Sequence, residues 1–302
     1  MSCSDQIPGC IIDPGLAQKR IGHYTDQQKK DVLSGLIGYK DEIETVDYPL
    51  GPFLELLDFI TMEPGRFSGL RVYFASYLWS DTDPGSKYIP TGLEENLTLV
   101  FVPTINTPNP ANPGSSVPQD DVTNIFTICF NKLQRLPNPR TAPRGQDTAS
   151  NWIRHFQNKY PVLNPDGVQK AKNLNFKETR SIWYQIGMFV DNDQRIGLVS
   201  FMKCLQKDPD NPLIGVQAKM ACYDHSDNQP NFQIEYQLTP VFMLHLKNPS
   251  ATGDFFFGTT AFGFGEENLK GNRPFVDPPA DTGLPCPPDD GCPGGDSLPS
   301  GG

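Results

Sequence analysis

The chain has 302 residues, of which 30 are Pro and 27 Gly; at about 19% together these fall short of the roughly 25–30% of low-complexity chains, so most of the chain is expected to fold. That length suits two domains or one large one. Lys and Arg number 25 against 35 Asp and Glu, and the resulting net charge of −10 repels the phosphate backbone that drives nucleic-acid affinity, so no nucleic-acid partner is expected.

The opening MSCSDQIPGCII has no basic stretch ahead of an apolar one and carries Asp5, so it does not read as a signal peptide. Residues 1–23 are taken as an N-terminal arm. Thr25 followed by Gln28 forms a capping-box pattern, predicting a helix over 26–37. A second helix follows Pro52, because Phe53, Leu56, Leu57 and Ile60 recur at the spacing of one helical face before Pro64-Gly65. GLRVYFASYLW from Gly69 alternates apolar and other residues and predicts a strand, as does NLTLVFV from Asn96, with Pro103 ending it. The Pro-rich stretches 104–121 and 136–145 predict loops, and NIFTICF (124–130) between them one more strand.

In the second half, Asp147 or Thr148 caps a helix in which Ala149, Trp152, Ile153 and Phe156 share a face. ETRSIWYQIGMFV predicts another helix, stopped by Asp191-Asn192-Asp193. IGLVSFMKC, GVQAKMACY, FQIEYQL and VFMLHL, the last two separated by Pro240, then read as an antiparallel meander. The expected class is α+β: antiparallel sheets backed by a few helices. The units are 24–130 and 147–247, with a Pro-rich linker at 131–146, a Phe/Gly-rich arm at 248–270 and a disordered acidic tail at 271–302. Gly69-Leu70 and Gly197-Leu198 each follow two expected helices, which hints at a duplicated module.

WIRHFQNKYP, TRSIWYQIGMF and the pairing of GLRVYFASY with LTLVFVPT resemble segments of small uncharacterised bacterial proteins. The resemblance implies a similar α+β module and no activity.

Few motifs point to chemistry. Gly295-Asp296-Ser297-Leu298 looks like the nucleophile block of GDSL esterases, but lies in the tail, where nothing holds the Ser against a base. Gly263-Phe264-Gly265 lacks the third Gly and the βαβ setting of a dinucleotide site. Cys222-Tyr223-Asp224-His225 is the richest polar constellation. Cys222, Asp224 and His225 suit a nucleophile near a base, or with Cys286 and Cys292 a zinc site; the plainer reading is a buried Cys beside a turn. The paired carboxylates Asp81/Asp83 and Asp191/Asp193 depart from the calcium-loop pattern and read as solvated turns or helix stops. His23 and His155 read as structural, His245 as the more exposed face of its strand, and Trp79, Trp152 and Trp183 as core or interface anchors.

Of seven Cys, Cys129, Cys204 and Cys222 lie in apolar stretches and read as buried thiols; Cys3 with Cys10 and Cys286 with Cys292 are the pairs available for disulfides in an oxidising compartment. No run of purely apolar residues exceeds four, so no membrane span is expected and the chain reads as soluble and cytoplasmic. The expected function is a non-enzymatic binding or assembly protein, with no cofactor and no metal. It self-associates or docks a protein partner through Phe255, Phe256, Phe257, Phe262 and Phe264 of the arm. The competing expectation is a hydrolase or transferase of unfamiliar type using the Cys/Asp/His centre.

Overall fold

The computed structural model describes residues 7–26, 45–63, 65–109, 116–142, 146–159, 181–193, 195–223, 238–248, 255–258 and 284–286. It is an α+β fold in which two antiparallel sheets face each other. The first sheet has the order β1-β11-β10-β9-β2, formed by Ile11–Ile12, Phe255–Phe257, Leu238–Leu246, Leu213–Cys222 and Thr45–Pro49. The second runs β12-β8-β3-β4-β6-β7, formed by Leu284–Cys286, Ser181–Gln185, Gly69–Ser76, Leu97–Pro108, Phe126–Cys129 and Lys132–Arg135, with β5 (Ser116–Asp120) paired to the far half of β4.

Alternation along β3 explains why this strand is buried on both faces. Leu70, Val72 and Phe74 point into the core between the sheets. Tyr73 and Ala75 point the other way, into a second core with Ala149, Trp152 and Ile153 of helix α3 (Thr148–Lys159). The first sheet is treated likewise: Phe242, Leu244 and Phe257 face the main core, while Val241, Phe256 and Ala221 pack with Ala17 of helix α1 (Pro14–His23). Between the sheets, α2 (Leu50–Thr61) buries Leu50, Phe53, Leu54, Leu56, Leu57 and Ile60. Its Phe53 ring lies 6.3 Å from Phe101 of one sheet and 6.0 and 6.2 Å from Phe242 and Phe257 of the other. Helix α4 (Leu198–Gln206) packs against α2, with Lys203 Nζ 2.6 Å from Asp58 Oδ1.

Several expectations are corrected. Thr25 ends a helix instead of starting one: its hydroxyl donates to the Ile21 carbonyl at 3.1 Å, and the helix predicted over 26–37 lies outside the described residues beyond Asp26. Helix α1 was not anticipated, although Asp13 accepts from the Leu16 amide at 3.0 Å and Pro14 follows it, a readable start signal. Ile182 and its neighbours form strand β8 and a short 3₁₀ turn (Ile186–Met188) instead of a helix, because β3 offers them an open edge. Conversely, Leu198, Phe201, Met202 and Leu205 form helix α4 instead of a strand; their spacing is helical. Thus Gly69-Leu70 opens a strand and Gly197-Leu198 a helix, and among the described residues the two segments do not share element order.

Pro103 and Pro240 lie within strands instead of bounding them; Pro103 still contributes, since its carbonyl accepts from the Asp121 amide at 2.8 Å. Part of the expected loop 104–121 is the β4–β5 hairpin. Within the expected tail, Leu284–Cys286 pairs with the free side of β8. FQIEYQL falls outside the described residues up to Leu238. Both sheets draw on both halves of the sequence: β2 pairs with β9, and β8 with β3.

Candidate functional site

Strand β9 delivers Cys222 and Tyr223 to the end of its sheet, where α1 meets it. Arg20, fully buried on α1, lays its guanidinium 4.8 Å from the Tyr223 ring centre. One turn later His23 Nδ1 is 3.0 Å from the Tyr223 carbonyl oxygen. From the facing sheet, Tyr184 brings a buried hydroxyl with no hydrogen-bond partner. Burial holds its phenol well above the ordinary tyrosine range; Tyr223 adds to the shift, Arg20 opposes it and Cys10 adds again, which places all four groups together. Cys10 is a buried free thiol, its sulfur 3.9 Å from the Met188 carbonyl, so it is not bridged to Cys3.

Of the predicted Cys/Asp/His centre, Cys222 is fully enclosed and points its thiol at the Tyr223 carbonyl, 3.7 Å away. Asp224 and His225 lie outside the described residues. Arg20 and His23 were missed because nothing in the sequence ties them to a strand end two hundred positions away. Among the described residues no group of three or more His, Cys, Asp or Glu is placed to hold a metal.

The Phe/Gly-rich arm is used within the chain as far as it is described. Phe255, Phe256 and Phe257 form β11, between β1 and β10. Phe257 stacks on Phe242 at 4.7 Å, Phe256 is buried under α1, and half-buried Phe255 meets Phe201 edge-on. Phe262 and Phe264 lie outside the described residues.

Of the paired carboxylates, Asp83 is a buried structural tie and not a solvated turn, while Asp81, Asp191 and Asp193 are exposed. Asp83 is buried and accepts from the Gly85 amide at 2.8 Å, the Thr148 hydroxyl at 2.5 Å and the Asn151 amide at 3.0 Å, fastening its loop to α3. A Cβ at Gly85 would come within 2.0 Å of Thr148, so this contact requires glycine. Asp191 accepts from the amide of Gly197, the N-cap of α4, at 2.7 Å and from the Ser200 hydroxyl at 2.8 Å, holding the start of that helix. Trp152 and Trp183 are buried, while Trp79 is 56% exposed. His245 is half-buried on the face opposite Leu244, as alternation predicts.

Two features were not legible. Phe130 and Asn131, joining β6 to β7, have φ of +48° and +59°, as a two-residue type I′ hairpin requires. Phe130 is 56% exposed, in a conformation that a bulky residue rarely adopts. The second is Cys204, expected as a thiol: it is disulfide-bonded.

Comparison with protein-family profiles, curated proteins and solved structures finds no match.

Proposed function

We propose that this chain is a non-catalytic assembly protein that associates with copies of itself through aromatic side chains held out on its loops, Phe130 foremost. The observation that carries this reading is the Phe130 turn. An aromatic side chain at φ +48° that stays 56% exposed costs backbone energy without gaining burial inside the chain. Covering it with a second surface restores that burial. Trp79 supports the same reading: it is exposed beside a loop pinned by Ser86, which accepts from the Ser80 amide and donates to the Ser80 carbonyl. In this reading the contribution of the Phe/Gly-rich arm falls to Phe262 and Phe264, because Phe256 and Phe257 are occupied in cis. The enclosure of Cys222 favours assembly over a hydrolase or transferase built on its thiol. The net charge of −10 favours a protein partner over nucleic acid. No helix among the described residues is long and apolar enough to cross a membrane.

Light scattering on a sizing column across a wide concentration range tests it. The expected mass is a discrete multiple of 33.5 kDa that dissociates on dilution. Phe130→Gly, which relieves the backbone and removes the ring, is expected to shift the mass toward monomer while leaving the melting temperature level or higher. A chain monomeric at every concentration would reject self-association. A Phe130→Gly variant that assembles like the parent would reject the role of this residue.

A further inference from the structure

We infer that strand β7 (Lys132–Arg135) is the edge through which two copies of this chain pair, joining their seven-stranded sheets into one across a twofold axis. The inference rests on the self-association proposed above and names the surface that it uses. The Leu136 amide donates to the Ile125 carbonyl at 2.8 Å, one step along the register in which Phe126 faces Arg135. Bonded and non-bonded pairs alternate along an antiparallel ladder. Thr127 with Gln134 and Cys129 with Lys132 are therefore bonded pairs, and the N–H and C=O groups of Leu133 and Arg135 point away from β6. Among the described residues no strand lies beyond β7, and no backbone hydrogen bond reaches Leu133 or Arg135 from outside the hairpin.

The other bordering strands are blunted by the usual means, which are shortness, charge and proline. Strand β1 has two residues, β2 carries exposed Asp47 and ends in Pro49, β5 has Pro118 at its middle and β12 has Pro285. Strand β7, KLQR, has no proline; its obstacle is the charge of Lys132 and Arg135. A twofold pairing removes that obstacle. The register that uses all four outward groups of β7 sets Leu133 opposite Arg135 of the second copy, and Gln134 opposite its own counterpart on the axis. Lys132 then faces Leu136 of the second copy, and neither cation directly faces another. The same register brings the exposed Phe130 ring level with Pro137 and Pro139 of the second copy, both half-buried in the free chain. Proline rings offer apolar surface on which that ring sheds water. One contact thus takes up both the open edge and the exposed ring, which favours a second copy over an unrelated strand as the occupant.

The full chain is tested by mass and by cross-linking. Arg135→Ala keeps the outward N–H, and Arg135→Pro removes it. Light scattering is expected to give twice 33.5 kDa for the parent and for Arg135→Ala, and for Arg135→Pro a dissociation constant raised about tenfold or more. Gln134→Cys sets two thiols opposite each other at non-bonded positions, whose Cα atoms lie roughly 4.5 Å apart, within reach of a disulfide. Oxidation with copper phenanthroline is expected to link Gln134→Cys into a covalent dimer, and to leave the parent and Lys132→Cys unlinked. A parent that dimerises while Gln134→Cys fails to link would overturn the edge pairing and leave the Phe130 reading standing, as would an Arg135→Pro variant that associates as tightly as Arg135→Ala. A parent monomeric at every concentration would reject both readings. If Arg135→Pro does not fold, the presence or absence of the Gln134→Cys link decides.

Discussion

Asp147 serves both as a helix cap and as a titrating group. Its carboxylate accepts from the Ser150 amide at 3.1 Å at the start of α3. Burial raises its pKa above the ordinary 3.8; hydrogen bonds from Ser150 and the charge of Arg154 oppose the shift, and Asp83 adds to it. A carboxyl whose folded pKa lies above its unfolded value favours the native state when protonated. Its contribution is therefore fully present below 3.8 and lost as pH rises through the folded value. Asp147→Asn keeps an acceptor for the cap and cannot ionise, so urea titrations from acid to neutral pH should show less loss of stability than the parent; parallel profiles would refute this account. A different balance holds at Arg71. Its Nη1 donates to Asp120 Oδ1 at 2.7 Å, both side chains are fully buried, and the Tyr73 hydroxyl donates to the other carboxylate oxygen at 2.5 Å. Removing the carboxylate breaks this buried pair and its bond from Tyr73, so Asp120→Ala should cost about 3–5 kcal/mol. A urea midpoint equal to that of the parent would show that Asp120 does not compensate Arg71.

At the scale of elements, local pattern decides where burial has one consistent direction. Helix α2 was legible because its apolar face and Pro52, which falls in its first turn, agree, and β3 and β4 because alternating residues fill cores on both sides of their sheet. Strand β8 was not, since Ile182 and Ile186 fit a helical face as well as a strand; pairing with β3 over Gly69 to Tyr73 settles it. Close approach at Gly69, where a Cβ would lie 2.2 Å from the Tyr184 carbonyl oxygen, is likewise a product of that pairing. Helix α4 shows the converse: its spacing was readable, but Asp191 looked like a stop and instead holds the amide of the Gly197 N-cap. Asp191→Ala removes these hydrogen bonds and should accordingly cost about 1 kcal/mol, measured by thermal unfolding, with no effect expected if the contact were incidental. The candidate site was legible only in part. Cys222 and Tyr223 stand out in the sequence, but Arg20 and His23 reach them through tertiary packing that no local spacing encodes.

For the whole molecule, the interleaving of strands sets how the chain should unfold. Strand β2 from the first half completes the sheet of the second, and β8 from the second half completes the sheet of the first. A single core joins them, with Phe53 in ring contact with both sheets. Neither sheet can therefore be removed without exposing the face of the other, and the two should melt together. Two probes separate the sheets: fluorescence of buried Trp152 and Trp183 reports the seven-stranded side, and mass-resolved labelling of Cys222 reports the five-stranded side. Their urea transitions should coincide in the parent. Phe53→Ala removes the ring that both sheets share, at a cost of about 3–5 kcal/mol, and should move both transitions to lower urea by the same amount. Transitions that separate in the parent, or a variant in which only one probe moves, would mean that the two sheets belong to independently stable units, with Phe53 serving one of them.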